Sequence, residues 1–280
     1  MIISPPDHQL FKQYPLNGRV ALSTGEAPTP YHIYDGYGLF IGGVADLPAV
    51  QRLLAPEGVL PVTTTDGHAL MGIWICDFTE ASLGAHTELQ FALAVTRSAS
   101  DPIEPHPLNI LTLMLTRPDL GLLCHGLWND TPNVVAYNRE YLSLNARQTD
   151  SRITRSANAL TFNYTDHATG QPILSGAVQL PQQASWRASW SLAARLGFKS
   201  TMALRQQPWI SMSVLNPVGV VLNRNGTSRT FTHNTTTVLR YFDRRADRLE
   251  FGDTPYRALN FMPQLVQYMD GFKFVYLQPE

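Results

Sequence analysis

Two stretches carry the strongest strand signals in the chain, Ala69–Phe78 (ALMGIWICDF) and Thr87–Arg97 (TELQFALAVTR), joined through the Gly84 region. In the second, His86, Glu88 and Gln90 fall on one face, and Thr87, Leu89 and Phe91 fall on the other. A face with three successive polar side chains is either solvated or lines a polar cavity. Periodicity alone favours water.

Upstream, residues 1–30 are Pro-rich and aperiodic, and read as an N-terminal arm. The aromatic, Gly-rich run Tyr31–Val44 predicts a strand bent at its glycines. Asp46 is placed to cap a short helix, with Pro48 in its first turn and Leu47, Val50, Leu53 and Leu54 as its apolar stripe. Residues 60–65 read as extended, and Asp66-Gly67 as a turn.

Downstream, residues 98–109 form a loop with three prolines, and Ile110–Thr116 fits a strand or a short helix. Leu120–Leu127 is apolar, and His125 within it reads as a core histidine. Thr131 and Pro132 predict a helix start, the hydroxyl capping a helix that runs through Leu142. Beyond it the pattern is mostly β. Residues 151–166 and 171–180 suggest a hairpin. Residues 185–196 show helical spacing of Trp186 and Trp190, with Gly197 closing the helix. Residues 211–222, 229–242 and 271–277 read as strands. No repeat or linker interrupts the pattern, so one domain spanning 1–280 is expected.

Composition narrows the class. The chain has 280 residues, 44% hydrophobic and 15% charged, enough for a sizeable core. A net charge of -1 offers no field for nucleic acid or anionic lipid. Arg244, Arg245 and Arg248 sit among Asp243, Asp247 and Glu250 and read as a solvated face. The first residues lack a basic region followed by an apolar run, and no run approaches the roughly 18 apolar residues of a membrane span. Cys76 and Cys124 match no zinc spacing and read as buried thiols. The expectation is a soluble cytoplasmic protein that binds neither nucleic acid nor membrane, with homo-oligomerisation left open.

Several stretches together resemble the acetoacetate decarboxylase-like superfamily. Pro30-Tyr31 followed by GGVADLPAVQRLLAPEGVLPV (42–62) is similar to its opening strand, short helix and return. SLGAHTELQFALAV (82–95) is similar to its paired strands with Leu-Gly-x-x-Thr-Glu. LWNDTPNVVAYNREYLSLNAR (127–147) resembles its Asp-x-x-Pro-x-x-x-Gly-Arg-Glu helix, which leads to a Pro-Lys-Lys turn. The resemblance covers residues 30–150 well and the rest weakly. It implies an α+β, β-rich fold: a barrel of mainly antiparallel strands with a few short helices and a central apolar cavity.

In that family the first lysine of the pair forms a Schiff base with a β-keto acid, made nucleophilic by a depressed pKa. Here the alignment places Asn145 at the proline, Ala146 at the Schiff-base lysine and Arg147 at the second lysine. Alanine forms no imine, and arginine stays protonated. Gly36 and Ile73 stand near two further charged positions of the family. Glu88 matches the site glutamate. The resemblance therefore implies Glu88 and Arg147 as catalytic residues, facing each other. His86, Gln90, Asn145 and Ala146 are the implied substrate contacts. Of the three lysines, Lys12, Lys199 and Lys273, only Lys273 lies on a strand that could face a lumen.

No Gly-x-Ser-x-Gly elbow, Walker loop or dinucleotide fingerprint occurs, and no metal-ligand spacing, so chemistry without cofactor or metal is the default. Two functions follow. One is a lysine-independent enzyme acting on an apolar polyketide- or terpenoid-like molecule by decarboxylation, cyclisation (including a pericyclic step) or isomerisation. The other is a non-catalytic small-molecule binding protein on the same scaffold.

Overall fold

The computed structural model describes residues 6–117, 119–180, 185–206, 210–215 and 227–278, with the side chains of 198–206 and 210–213 outside that description. The N-terminal arm is more ordered than its composition suggests. Helix α1 (Gln9–Gln13) is followed by a hairpin of β1 (Gly18–Leu22) and β2 (Gly25–Thr29).

The strand β3 (Tyr31–Asp46) is longer than predicted and bends where its register with the next strand shifts. Gly38 sits where a Cβ would stand 2.6 Å from the Ile75 carbonyl oxygen, so a larger residue would push the two strands apart. Helix α2 (Leu47–Leu54) begins as predicted, with Asp46 Oδ1 accepting from the Ala49 N–H at 2.8 Å. Then come β4 (Leu60–Pro61), β5 (His68–Ala81) and β6 (His86–Thr96). The ambiguous 110–116 segment is helix α3 (Asn109–Thr116).

Next, β7 (Leu120–Asn129) leads into α4 (Pro132–Ala136) and a π-helical turn, Tyr137–Tyr141. Thr131 makes no side-chain cap, contrary to expectation: its hydroxyl is buried instead of reaching back to the first turn. The next segment also differs from prediction. It is three strands, β8 (Ala146–Arg155), β9 (Ala159–Asp166) and β10 (Pro172–Gln179), with a tight turn at 156–158 inside the expected first strand.

Helix α5 (Trp186–Gln206) breaks helical geometry at Gly197, whose φ of 73° ends the predicted portion there. Its tryptophans do not form the buried stripe. Trp186 and Trp190 are 72% and 73% exposed, while Ala188 and Leu196 face the core. The final strands are β11 (Ile210–Leu215), β12 (Thr227–Tyr241), β13 (Arg248–Phe251) and β14 (Met262–Tyr276). The part of the predicted 211–222 strand beyond 215 lies outside the described residues.

The hydrogen-bonded order is β13-β10-β9-β8-β7-β11-β12-β14-β3-β5-β6-β4, and β6 also pairs with β7. That extra pairing closes β7, β11, β12, β14, β3, β5 and β6 into a ring. Strands β8, β9, β10 and β13 extend from it as a wing. The pairings are antiparallel except β11 with β7 and β7 with β8, so the sheet is mixed. The fold is thus β-rich with few helices, as the resemblance implied.

Two core clusters follow from strand alternation. One fills the ring and includes Tyr31, Cys76, Phe78, Leu127 and Phe272. The other lies outside it, beneath α2 and the wing, and includes Ile73, Phe91, Trp128 and Tyr256. No described helix is long and apolar enough to cross a membrane.

The charged cluster near residue 245 is only partly the solvated face expected. Arg244, Arg245 and Arg248 are exposed, but Asp247 is buried. Its carboxylate is gripped at both oxygens by Arg240, which the local sequence pattern could not indicate.

Candidate active site

The ring encloses a cavity of about 250 Å³. Its walls are mainly apolar, from Trp74, Phe78, Leu122, Leu127, Met269 and Phe272, with Met114 of α3 and Leu192 of α5 at one end. Glu88 is the single acidic or basic side chain among the described residues that line it. The strand parity read from the sequence holds for β6, because Glu88 and Gln90 share one face. That face points into the ring and not into water, so closure of the barrel reverses what periodicity alone favoured.

Burial pushes the Glu88 carboxyl up from the ordinary 4.5 to about 7. The shift is opposed by Asn129, whose Nδ2 donates to Glu88 Oε2 at 3.3 Å. Asn138, another cavity residue, donates from Nδ2 to Asn129 Oδ1 at 2.8 Å. The π-turn helps place it: Asn138 is buried, while the Leu144 N–H bonds back to its carbonyl at 2.7 Å. Asn129 and Asn138 were not expected at the site. A polar residue at the buried end of β7, and another on the inner side of the following helix, were the available signals.

His86 is buried on the same strand face, two residues before Glu88. It does not line the cavity; its Nε2 meets the hydroxyl of Tyr31, which does, at 2.5 Å. On the opposite wall, Thr232 Oγ1 and Asn234 Oδ1 are buried without a hydrogen-bond partner among the described residues. Unsatisfied polar atoms on a cavity wall are suited to a polar group of a guest molecule.

The turn after α4 divides as strand parity requires. Leu144 lines the cavity, and Ala146 is buried in the same core cluster. Arg147 is exposed on the opposite face of β8. It therefore does not face Glu88, and the expected carboxylate–guanidinium pair is absent. The Arg147 charge is felt instead by His125, which burial and, secondarily, that charge hold at about 4. His125 bonds Tyr256 Oη through Nδ1 at 2.9 Å and is the satisfied core histidine the sequence suggested. Asn145 donates to the His125 carbonyl at 3.0 Å and fixes the turn; it does not line the cavity.

Glu140 accepts from the Ser23 N–H at 2.8 Å, tying the π-turn to the β1–β2 hairpin. Lys273 is excluded from the cavity by parity: Phe272 and Phe274 line it, while Lys273 lies near His8 on the outside. Lys12 is exposed and paired with Asp7. Among the described residues no group of three or more His, Cys, Asp or Glu is placed to hold a metal ion.

No family model matches the sequence, and no curated protein matches it. The structure is similar to that of acetoacetate decarboxylase from Legionella pneumophila, with a TM-score of 0.55 at 11% identity, over 99% of this chain and 97% of that one. The chain has the acetoacetate decarboxylase fold. A second acetoacetate decarboxylase structure matches with a TM-score of 0.51 at 13% identity, over 89% of this chain and 87% of that one. On this fold Glu88 lines the ring cavity, Ala146 is buried in the core cluster around it, and Arg147 is exposed.

Proposed function

We propose that this chain is a lysine-independent and cofactor-independent enzyme that moves a proton on a largely apolar small molecule held in the ring cavity. Glu88 is its acid–base group. One observation carries the reading: a buried carboxyl, with no cationic partner among the described residues and pushed up to about 7, on the wall of an apolar cavity. A group with a pKa near the working pH is half protonated and serves as acid or base with equal ease. Isomerisation, decarboxylation and cyclisation of a polyketide- or terpenoid-like compound each need such a group. This reading leaves out Arg147, which is exposed on the far face of β8, and gives Ala146 a role in shape.

The test uses 5-nitrobenzisoxazole, a neutral bicyclic whose ring C–H is removed by a base as its N–O bond opens to a coloured phenolate. The protein should accelerate this elimination with a rate that rises through pH 7 and levels above it, because the carboxylate form is the base. Glu88→Gln should reduce the rate by about 10²-fold or more. An unchanged rate rejects the reading. Saturable binding of the probe with no acceleration favours the second reading, a carrier or sensor for apolar ligands.

Lysine independence has its own check. Incubation with acetoacetate and borohydride should leave the intact mass unchanged. A reduced adduct would restore imine chemistry.

A further inference from the structure

Tyr31 and His86 have no role in the reading above, yet Tyr31 lines the cavity with Glu88 and its hydroxyl meets His86 behind the wall. We infer that they form a second proton-transfer unit: Tyr31 takes the proton of an enol or hydroxyl group of the ligand, passing its own to His86, while Glu88 serves the adjacent carbon. The inference rests on the acid–base role of Glu88 and names the ligand class, an enolisable ketone or its enol.

The direction of the Tyr31–His86 bond follows from what lies behind it. His86 Nδ1 is 2.8 Å from the Gly84 carbonyl oxygen, which can only accept, so Nδ1 carries the hydrogen. The turn that aims this carbonyl has Gly84 at a φ of 92°, a conformation that favours glycine. Burial keeps the ring neutral by lowering its pKa, so Nε2 holds a lone pair. Tyr31 therefore donates to Nε2 across 2.5 Å. Having given up its only proton, the oxygen can only accept from a further partner, and Tyr31 is one of the residues that line the cavity. His86 and Glu88 lie two residues apart on one strand face, which is about 7 Å. The wall thus presents a fixed acceptor and, when Glu88 is protonated, a donor several ångströms away. A ligand carrying both a hydroxyl and a basic carbon, as an enol does, answers both.

The step balances without a co-reactant. The enol O–H proton moves to Tyr31 Oη as the Tyr31 proton moves to His86 Nε2. The O–H electron pair becomes the carbonyl π bond. The C=C pair takes the Glu88 proton and becomes the new C–H bond. The ketone departs, leaving imidazolium and carboxylate, and return of one proton from His86 to Glu88 resets the site. Asp77 and Asp130 both favour the imidazolium form, so the transient charge is supported from two sides. The reverse path enolises a ketone. Tyr31 is the catalytic residue of the pair, and His86 is the positioning residue behind it.

The probe is 2-tetralone, a neutral bicyclic ketone, and the readout is exchange of its α-protons for deuterium in D2O by 1H NMR. The wild type should exceed buffer, and Glu88→Gln should abolish the excess. Tyr31→Phe should lower it by about 10²-fold. His86→Ala should do likewise and be restored by added imidazole, which a structural role would not produce. The nitrogen-15 shifts of His86 in the unaltered protein should report hydrogen on Nδ1, a check that needs no variant to fold. Hydrogen on Nε2, or full exchange in Tyr31→Phe when Glu88→Gln has lost it, overturns this inference and leaves Glu88 standing. Exchange no faster than buffer, or unchanged by Glu88→Gln, overturns the Glu88 reading and this one together.

Discussion

Replacing Glu88 with glutamine is expected to remove a pH-dependent loss of stability of roughly 3 kcal/mol, the figure that corresponds to moving a carboxyl from 4.5 to about 7. The sign follows from proton binding. Glu88 titrates higher in the folded chain than in the unfolded one, so the folded state binds more protons between those values. Stability from this group is fully present below about 4.5, falls as pH rises, and is lost once pH passes about 7. Above that point the folded chain must hold an ionised carboxylate in an apolar cavity with a single amide donor, Asn129. Glutamine never ionises, has nearly the same shape, and can still accept from Asn129. Denaturant unfolding of both proteins at pH 5 and pH 8 gives a difference of differences that cancels other titrating groups. The variant should be less affected by the rise in pH, and at pH 8 more stable than the parent. Equal pH dependence in the two would mean that Glu88 titrates normally, which would also remove the basis for its catalytic role.

The second large effect is far from the cavity. Asp247→Ala should destabilise the fold by about 3–5 kcal/mol, the range for removing one partner of a buried ion pair. The Asp247 side chain is wholly buried, and that of Arg240 is only 14% exposed. Arg240 Nη1 and Nη2 donate to the two carboxylate oxygens at 2.6 and 2.7 Å. The backbone N–H groups of Asp243 and Gln179 donate to the same oxygens at 2.8 and 3.0 Å. Alanine leaves two amides without their acceptor and the guanidinium without its counter-charge, held only by the Gln179 and Tyr241 carbonyls, and unlocks the turn that joins β12 and β13 to β10. A fall in Tm on the order of 10 °C should accompany the loss. The double variant with Arg240→Ala should cost clearly less than the two single changes together, because each already breaks the same network. A change below about 1 kcal/mol in Asp247→Ala would show that solvent replaces the network without penalty.

Glu88 and Asp247 mark the two ways in which the sequence was and was not readable. The strand parity of His86, Glu88 and Gln90 is local, since a strand alternates whatever it packs against. What covers that face is not local. It is water in an open sheet and a cavity in a closed one, and closure rests on pairing β6 with β7, β11 with β7 and β12 with β14, between residues far apart in the chain. Asn129 and Asn138 became site residues for the same reason. Tyr31 was noticed as part of a motif, but its partner lies 55 positions away. Trp186 and Trp190 mislead in the other direction, because apolar helical spacing establishes the helix and not which side of it is covered.

Residues 144–147 show the limit most sharply. Sequence order alone puts Ala146 where the resemblance expects a lysine, and alanine excludes an imine at that position in any fold. Whether the neighbouring Arg147 could substitute depends on which face of β8 it takes, and a shift of one residue in a strand reverses that face. Pairing of β8 with β7 and β9 fixes the register and sends Arg147 outward. The sequence by itself determined the paired strands β5 and β6, their alternation, the carboxylate and the alanine at position 146, because these depend on residue type and nearest neighbours. Only the tertiary structure decided that the carboxylate is buried and, among the described residues, has no positive partner, since burial and distance are set by segments that meet across the ring.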